Sequence, residues 1–282
     1  MRAYNIFPDT IIQKLKITVL DTKYLDFKGV HELSALAYKN GQLYALSDSG
    51  ILYLFDISIE NKKIKSLHLK NSFVLKNSKG RVFKKKKRDS EGICFYKKGF
   101  LVSFERKNRI LYVSKSGKKI KKMQLNTPLE ENRNYRSPNK GLESVAYSKK
   151  YGVVTIPELP LKGDEEDYHT LYAKKELWHF RASGCVTDIV FEDKDEVLVL
   201  LRQFSYLTRR RVTTLLRLNL KECNSKNVCK TTLLAKLDSV LGWKNDNFEG
   251  LTKVKKNLYL MVSDDNDSIF QKTLLVLFEI KS

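Results

Sequence analysis

Asn247-Phe248-Glu249-Gly250-Leu251-Thr252, followed by Leu258-Tyr259-Leu260-Met261-Val262-Ser263-Asp264-Asp265-Asn266, is the stretch that decides how this chain folds. It reads as an acid at a turn, a short apolar strand, a Lys-rich turn, a second strand and a burst of carboxylates. The same phrase stands earlier as Asp89-Ser90-Glu91-Gly92-Ile93-Cys94-Phe95 with Phe100-Leu101-Val102-Ser103-Phe104-Glu105. A third copy is Gly141-Leu142-Glu143-Ser144-Val145-Ala146-Tyr147 with Val153-Val154-Thr155-Ile156-Pro157-Glu158. Recurrence of one strand-turn-strand phrase along a chain marks a repeat architecture.

Outward from these copies, the pattern extends to both ends. Residues 32–57 hold three short strands, the first two joined at Asn40-Gly41, a two-residue hairpin signal. The alternation at 64–75 supplies a fourth. Units restart at Asp89, at Gly141 (with 176–180 as a strand after a long insertion), at Gly184 and at Asn247. Aligning the first strands puts Ser34, Glu91, Glu143, Thr187 and Glu249 in one column, spaced 57, 52, 44 and 62 residues apart, close to a propeller-blade period. Helical periodicity is confined to a turn near 237–243. The reading is all-β: a single β-propeller domain of four-stranded blades over residues 1–282, with five repeats visible and a sixth left open. A β-sandwich would not explain why the acid recurs at one place in each repeat. The last unit stops after three strands, so the alternating segment 13–20 is expected to complete its sheet and close the ring.

First strands of propeller blades line the central channel, so this column converges there. The ends of the second strands add Asp48, Glu105, Glu158, Arg202, Asp264 and Asp265. Gathered carboxylates repel unless a cation sits among them or some are protonated. Each Glu could instead cap its own turn. Oxygen donors without His or Cys favour a hard cation, Ca²⁺ over Zn²⁺. The metal set expected is Glu91, Glu143, Glu249, Asp264, Asp265, Asp48 and Glu105.

The net charge of +21 and pI near 9.7 admit an anionic ligand or a polyanionic partner. Recognition helices, zinc-finger spacing and aromatic RNA-binding strands are absent, which turns the reading away from nucleic acid. Lysines spread over solvent-facing positions account for the charge equally well. Lys84-Lys85-Lys86-Lys87-Arg88 and Arg209-Arg210-Arg211 read as solvated loops, or as loops holding an anion at the channel mouth. The acidic run 163–167 reads as an exposed tip or a lid. No serine-hydrolase elbow, P-loop or dinucleotide fingerprint occurs. No apolar run is long enough to span a bilayer. Cys223 and Cys229 bracket a polar turn, either as a disulfide, which would imply an oxidising compartment, or as two free thiols.

Taken in order, Leu33-Ser34-Ala35-Leu36, Asp89-Ser90-Glu91-Gly92-Ile93, Gly141-Leu142-Glu143-Ser144, Leu200-Leu201-Arg202-Gln203-Phe204, Asp246-Asn247-Phe248-Glu249-Gly250 and Val262-Ser263-Asp264-Asp265-Asn266 resemble the phytase-like family, described by its esterase-like activity. The likeness runs from about residue 31 to 280. It implies a propeller, commonly in exported bacterial proteins, that hydrolyses a phosphate ester with calcium. Ser144 stands where Gly is usual and Thr187 where Ser is expected. The expectation is therefore a monomeric, periplasmic or exported (alternatively cytoplasmic) hydrolase of a phosphorylated small molecule. Glu91, Glu143, Glu249 and Arg202 would be its catalytic groups. The competing expectation is a non-catalytic propeller binding a ligand or protein at the same channel.

Overall fold

Short apolar runs between tight turns fold here as antiparallel meanders. At Asn40-Gly41 both residues take the left-handed conformation (φ 50° and 77°) that a two-residue hairpin requires. The computed structural model describes residues 1–10, 15–266 and 271–281. With 58% strand and 4% helix, it is all-β.

Strands β1 (Arg2–Ala3) and β2 (Ile17–Tyr24) precede the first blade, which is β3 (Leu33–Lys39), β4 (Gln42–Ser47), β5 (Ile51–Glu60) and β6 (Lys63–Val74). The second blade is β7 (Ser90–Tyr96), β8 (Gly99–Phe104), β9 (Arg109–Ser114) and β10 (Lys119–Lys122). The third is β11 (Leu142–Ser148), β12 (Gly152–Pro157), β13 (Tyr168–Ala173) and β14 (Leu177–Arg181). The fourth is β15 (Cys185–Phe191), β16 (Glu196–Phe204), β17 (Arg211–Cys223) and β18 (Cys229–Asp238). The fifth is β19 (Asn247–Lys255), β20 (Leu258–Asp264) and β21 (Leu274–Ile280), completed by β2 with β1 outside it.

First strands touch in the order β3, β7, β11, β15, β19 and back to β3, which closes a ring of five blades. Among the described residues there are five blades and no sixth. The strand paired with β21 at the edge of the fifth sheet is Ile17–Tyr24, where the sequence reading put it near 13–20; residues 11–14 lie outside the described residues. A register shift between Val19 and Asp21 interrupts the alternation that ended the sequence reading at Leu20. Of the segment 176–180, residues 177–180 belong to the outermost strand of the blade. The third strand is β13, inside the supposed insertion, where Tyr-His-Thr-Leu-Tyr-Ala hides its period.

One apolar core fills each junction between neighbouring blades. Between the fifth and first, Leu258, Leu260 and Val262 meet Leu36, Leu43 and Phe55; between the first and second, Ala35 and Leu46 meet Ile93 and Phe100. Second strands are covered on both sides, which is why they read as continuous apolar runs. Cys223 and Cys229 are joined by a disulfide across the β17–β18 turn.

Every first strand slips register at the same step: Leu33/Ala35, Ser90/Gly92, Leu142/Ser144, Val186/Asp188 and Phe248/Gly250. The residues skipped are Ser34, Glu91, Glu143, Thr187 and Glu249, the whole column read from the sequence. A bulge leaves its extra residue out of the ladder and re-aims its side chain. The next position faces the neighbouring blade at close range. A Cβ on Gly250 would lie 2.8 Å from Val262 Cγ1 and 2.9 Å from Ala35 Cα, and one on Gly92 would lie 2.8 Å from Ser144 Cα. Gly250→Ala should therefore cost about 1–3 kcal/mol by overpacking. It would appear as a lower urea midpoint with an unchanged slope; an unchanged midpoint would show that the blades have room to part.

Candidate metal centre at the channel mouth

Three aligned positions per blade meet at one end of the channel. The first is the bulge residue. The second follows the partner of the residue before the bulge (Ser47, Phe104, Pro157, Leu201, Ser263), which gives Asp48, Glu105, Glu158, Arg202 and Asp264. The third lies two residues before the bulge: Glu32, Asp89, Gly141, Cys185 and Asn247. Backbone bonds repeat with it, Asp48 N to Glu32 O (3.0 Å), Glu105 N to Asp89 O (3.0 Å) and Glu158 N to Gly141 O (2.9 Å). Sequence alignment found the first two positions; Glu32 and Asp89, one short step upstream, were not included.

Side-chain length decides what each bulge residue does. Ser34 Oγ donates to Ser90 O (2.8 Å) and Thr187 Oγ1 to Phe248 O (3.3 Å), so these hydroxyls bond the next blade. The longer Glu91, Glu143 and Glu249 reach the channel. Two sets of carboxylate oxygens lie within 4.8 Å of one another: Asp89, Glu91 and Glu105, and Glu105, Glu143 and Glu158. Glu105 belongs to both.

Charge is distributed unevenly around this mouth. Burial, then Glu105, Glu249, Asp89 and Asp48, push the Glu91 carboxyl up. Glu91 is half-buried, enclosed by protein yet reached from the channel. Burial and neighbouring acids also raise Glu143, Asp48 (to about 8) and Asp264 (to about 9). Burial raises Glu105 to about 7, although its carboxylate accepts from Gly141 N (3.0 Å).

Cations also stand against the acids, and Arg106 pairs with Asp89 (2.5 Å). Arg202 donates to Asn247 Oδ1 (2.7 Å) and pairs with Glu249 (3.1 Å) and Glu158 (3.2 Å), while Lys140 Nζ donates to Glu158 Oε1 (2.7 Å). Burial works against the Arg202 charge, but Glu249, Glu158 and Glu143 hold its pKa above the ordinary value. Its Nε is buried without a partner among the described residues. Asp265 stands apart: Glu32 N (3.0 Å) and Thr273 Oγ1 (2.8 Å) donate to its two oxygens.

Asp188, absent from the expected set, ties three blades together. It accepts from Ser144 Oγ (2.5 Å), Ile189 N (2.8 Å) and Leu251 N (2.7 Å), and burial raises its pKa to about 7. This accounts for serine at 144: its hydroxyl meets an acid from the fourth blade.

A cleft of about 630 Å³ adjoins the cationic side, with Lys140, Arg202, Arg209 and Arg211 on its walls. Of the run 209–211, Arg209 and Arg211 therefore reach the mouth, while Arg210 pairs with Asp238. At 84–88, Arg88 Nε bonds Phe83 O (2.6 Å). A larger opening of about 970 Å³ includes Tyr96 and Tyr147, at the far ends of β7 and β11 from these acids. The acidic tip is exposed, with Arg181 pairing Glu165 and Asp167 (2.6 Å each).

The family model described as "Phytase-like: Esterase-like activity of phytase" matches residues 28–267. The chain belongs to the phytase-like family. That span includes all five bulges and all the acids named above. No curated protein matches the chain. Among solved structures, a chain of "Crystal Structure of Mitotic Checkpoint Complex" is similar at 10% identity and TM-score 0.41, covering 89% of this chain and 62% of that one. The "Crystal structure of Myceliophteria_thermophila Cps50 (Swd1) beta-propeller domain" is similar at 8% identity and TM-score 0.42, covering 88% and 84%. Among the described residues, no helix is long and apolar enough to cross a membrane.

Proposed function

We propose that this phytase-like propeller hydrolyses a phosphate ester, assisted by a hard divalent cation, Ca²⁺ foremost, at the acid-lined mouth. The observation that carries the reading is the pair of oxygen clusters sharing Glu105. Asp89 pairs with Arg106, and Glu158 with Lys140 and Arg202; gathering Glu91, Glu105 and Glu143 with them is costly unless some are protonated or a further cation joins them. Their donor set fits: all oxygen, mostly buried, with Glu91 raised by burial and by the acids around it. Asp89, Glu91, Glu105 and Glu143 would hold the cation, with Asp48, Glu249 and Asp264 around them and Asp265 bracing the loop behind. A cation bound there supplies charge neutralisation and a more acidic water.

The chain's own residues divide the remaining work. Arg209 and Arg211 draw an anionic phosphate into the cleft. Arg202 holds Glu249 and Glu158 in place and closes the mouth on that side. Expected substrates are phosphorylated small molecules, and the protein acts as a monomer. The Cys223–Cys229 disulfide supports an exported, oxidising setting.

In a phosphomonoester assay, activity should require added Ca²⁺ and fall at least about tenfold in Glu91→Gln and in Glu105→Gln. No activity with or without the metal, from folded protein, overturns the proposal. One observation favours a non-catalytic binding site at the same mouth: Lys140 and Arg202 already spend donors on Glu158 and Glu249. On that reading Glu91→Gln weakens capture of a ligand or partner while no turnover is seen in any variant.

A further inference from the structure

The three most exposed large apolar side chains among the described residues lie on two adjoining loops: Leu207 (95% exposed), Tyr206 (83%) and Val240 (69%). Tyr206 and Leu207 form the tip of the β16–β17 hairpin, closed by Ser205 N donating to Arg210 O (3.0 Å). Val240 sits on the 3-10 turn Ser239–Leu241 beside it. Arg211 N donating to Ser239 Oγ (2.9 Å) and the Arg210–Asp238 ion pair bind the two loops. The tip is braced by Phe204, whose ring meets Tyr206 edge-on at 4.9 Å and carries the Arg211 guanidinium at 5.9 Å.

Single exposed apolar residues are ordinary, but three on two loops tied together call for a partner. Three arginines flank them. The hairpin also rises at the channel mouth, since Tyr206 and Arg209 share a cleft with Arg202 and Lys140.

We propose that this hairpin tip is an interfacial anchor that docks the protein on an anionic lipid surface, with the channel mouth turned toward it. A stable protein partner needs roughly 800 Å² of complementary surface on each side, and a convex tip of two side chains offers far less. An apolar tip with basic flanks suits a lipid interface instead. Tyr and Leu enter the headgroup region, and guanidinium groups meet phosphate oxygens. A small apolar anchor binds a bilayer only marginally, and a basic patch supplies the second signal. The net charge of +21 adds long-range attraction to the same surface. This docking goes beyond the proposed hydrolysis and stands or falls without it.

Flotation of the full chain with phosphatidylcholine vesicles, plain or with about 30% phosphatidylglycerol, tests it. Binding should require the anionic lipid and weaken at about 0.5 M salt. The double variant Tyr206→Ser/Leu207→Ser should lose binding on the order of tenfold with an unchanged melting temperature. Tyr206→Trp should shift its emission to the blue on anionic vesicles. Absence of binding to anionic vesicles overturns the proposal, as does binding that survives the double substitution, which would be charge alone. A wild-type dimer, seen by sedimentation without lipid and abolished by the double variant, would make the tip a protein contact and also overturn it.

Discussion

Without metal, the protein should lose stability as pH rises from about 7 to about 9, and Ca²⁺ should restore it. The direction follows from the carboxyls at the mouth. Asp48 is raised to about 8 and Asp264 to about 9, and Glu91, Glu143 and Glu249 are raised as well. An acid whose folded pKa exceeds its unfolded value binds more protons in the folded state. Stability therefore falls as pH climbs from the unfolded value through the folded one. His169 acts oppositely: burial lowers it to about 4, so its contribution grows with pH but is complete once the pH passes its ordinary value of 6.5. Starting at about pH 7 isolates the acids. The expected loss is about 3 kcal/mol, or roughly 6–12 °C in melting temperature. Ca²⁺ at about a hundred times its dissociation constant would return roughly 2.7 kcal/mol. Calorimetry in chelator and in calcium checks both. A melting temperature that is flat or rises with pH in chelator would contradict the electrostatic picture of the mouth.

Arg202→Ala should be the most damaging single substitution at the site, at about 3–5 kcal/mol. Removing the guanidinium leaves Glu158 (2% exposed) and Glu249 (6%) without their shared counter-ion, and Asn247 without a donor. Lys140 still covers one oxygen of Glu158, so the burden falls on Glu249. Lysine is a poor replacement because one ammonium cannot reproduce the fork that reaches both carboxylates. Urea unfolding at two pH values separates charge from packing. The deficit should shrink at about pH 5, where Glu249, already raised, takes up a proton more readily. A deficit that stays the same at both pH values would assign the loss to packing.

The phrase around Asn247-Phe248-Glu249-Gly250 is legible in the sequence because its spacing is a property of the chain. Repeats with a period near 50 residues and short apolar runs between turns admit few architectures, and the column of bulge residues fell out of the alignment. Closure by an N-terminal strand followed from counting strands in the last unit. Where local pattern was weak, the reading slipped: β13 disguises its period with Tyr, His and Thr, and β2 breaks its own at a bulge.

At the mouth, sequence placed the acids in register but could not say which of them face one another. That depended on the ring. Its curvature brings Asp89, Glu91 and Glu105 together with Glu143 and Glu158, sends Ser34 and Thr187 sideways into backbone bonds, and sets Asp265 between Glu32 N and Thr273 Oγ1. Asp188 and Glu32 had no signal of their own, because their roles are defined by residues on other blades. The order and periodicity of the strands are local, set by side-chain alternation and turn chemistry. Whether a carboxylate meets a cation, another carboxylate or a backbone amide is decided only when five blades close and distant residues share one small volume.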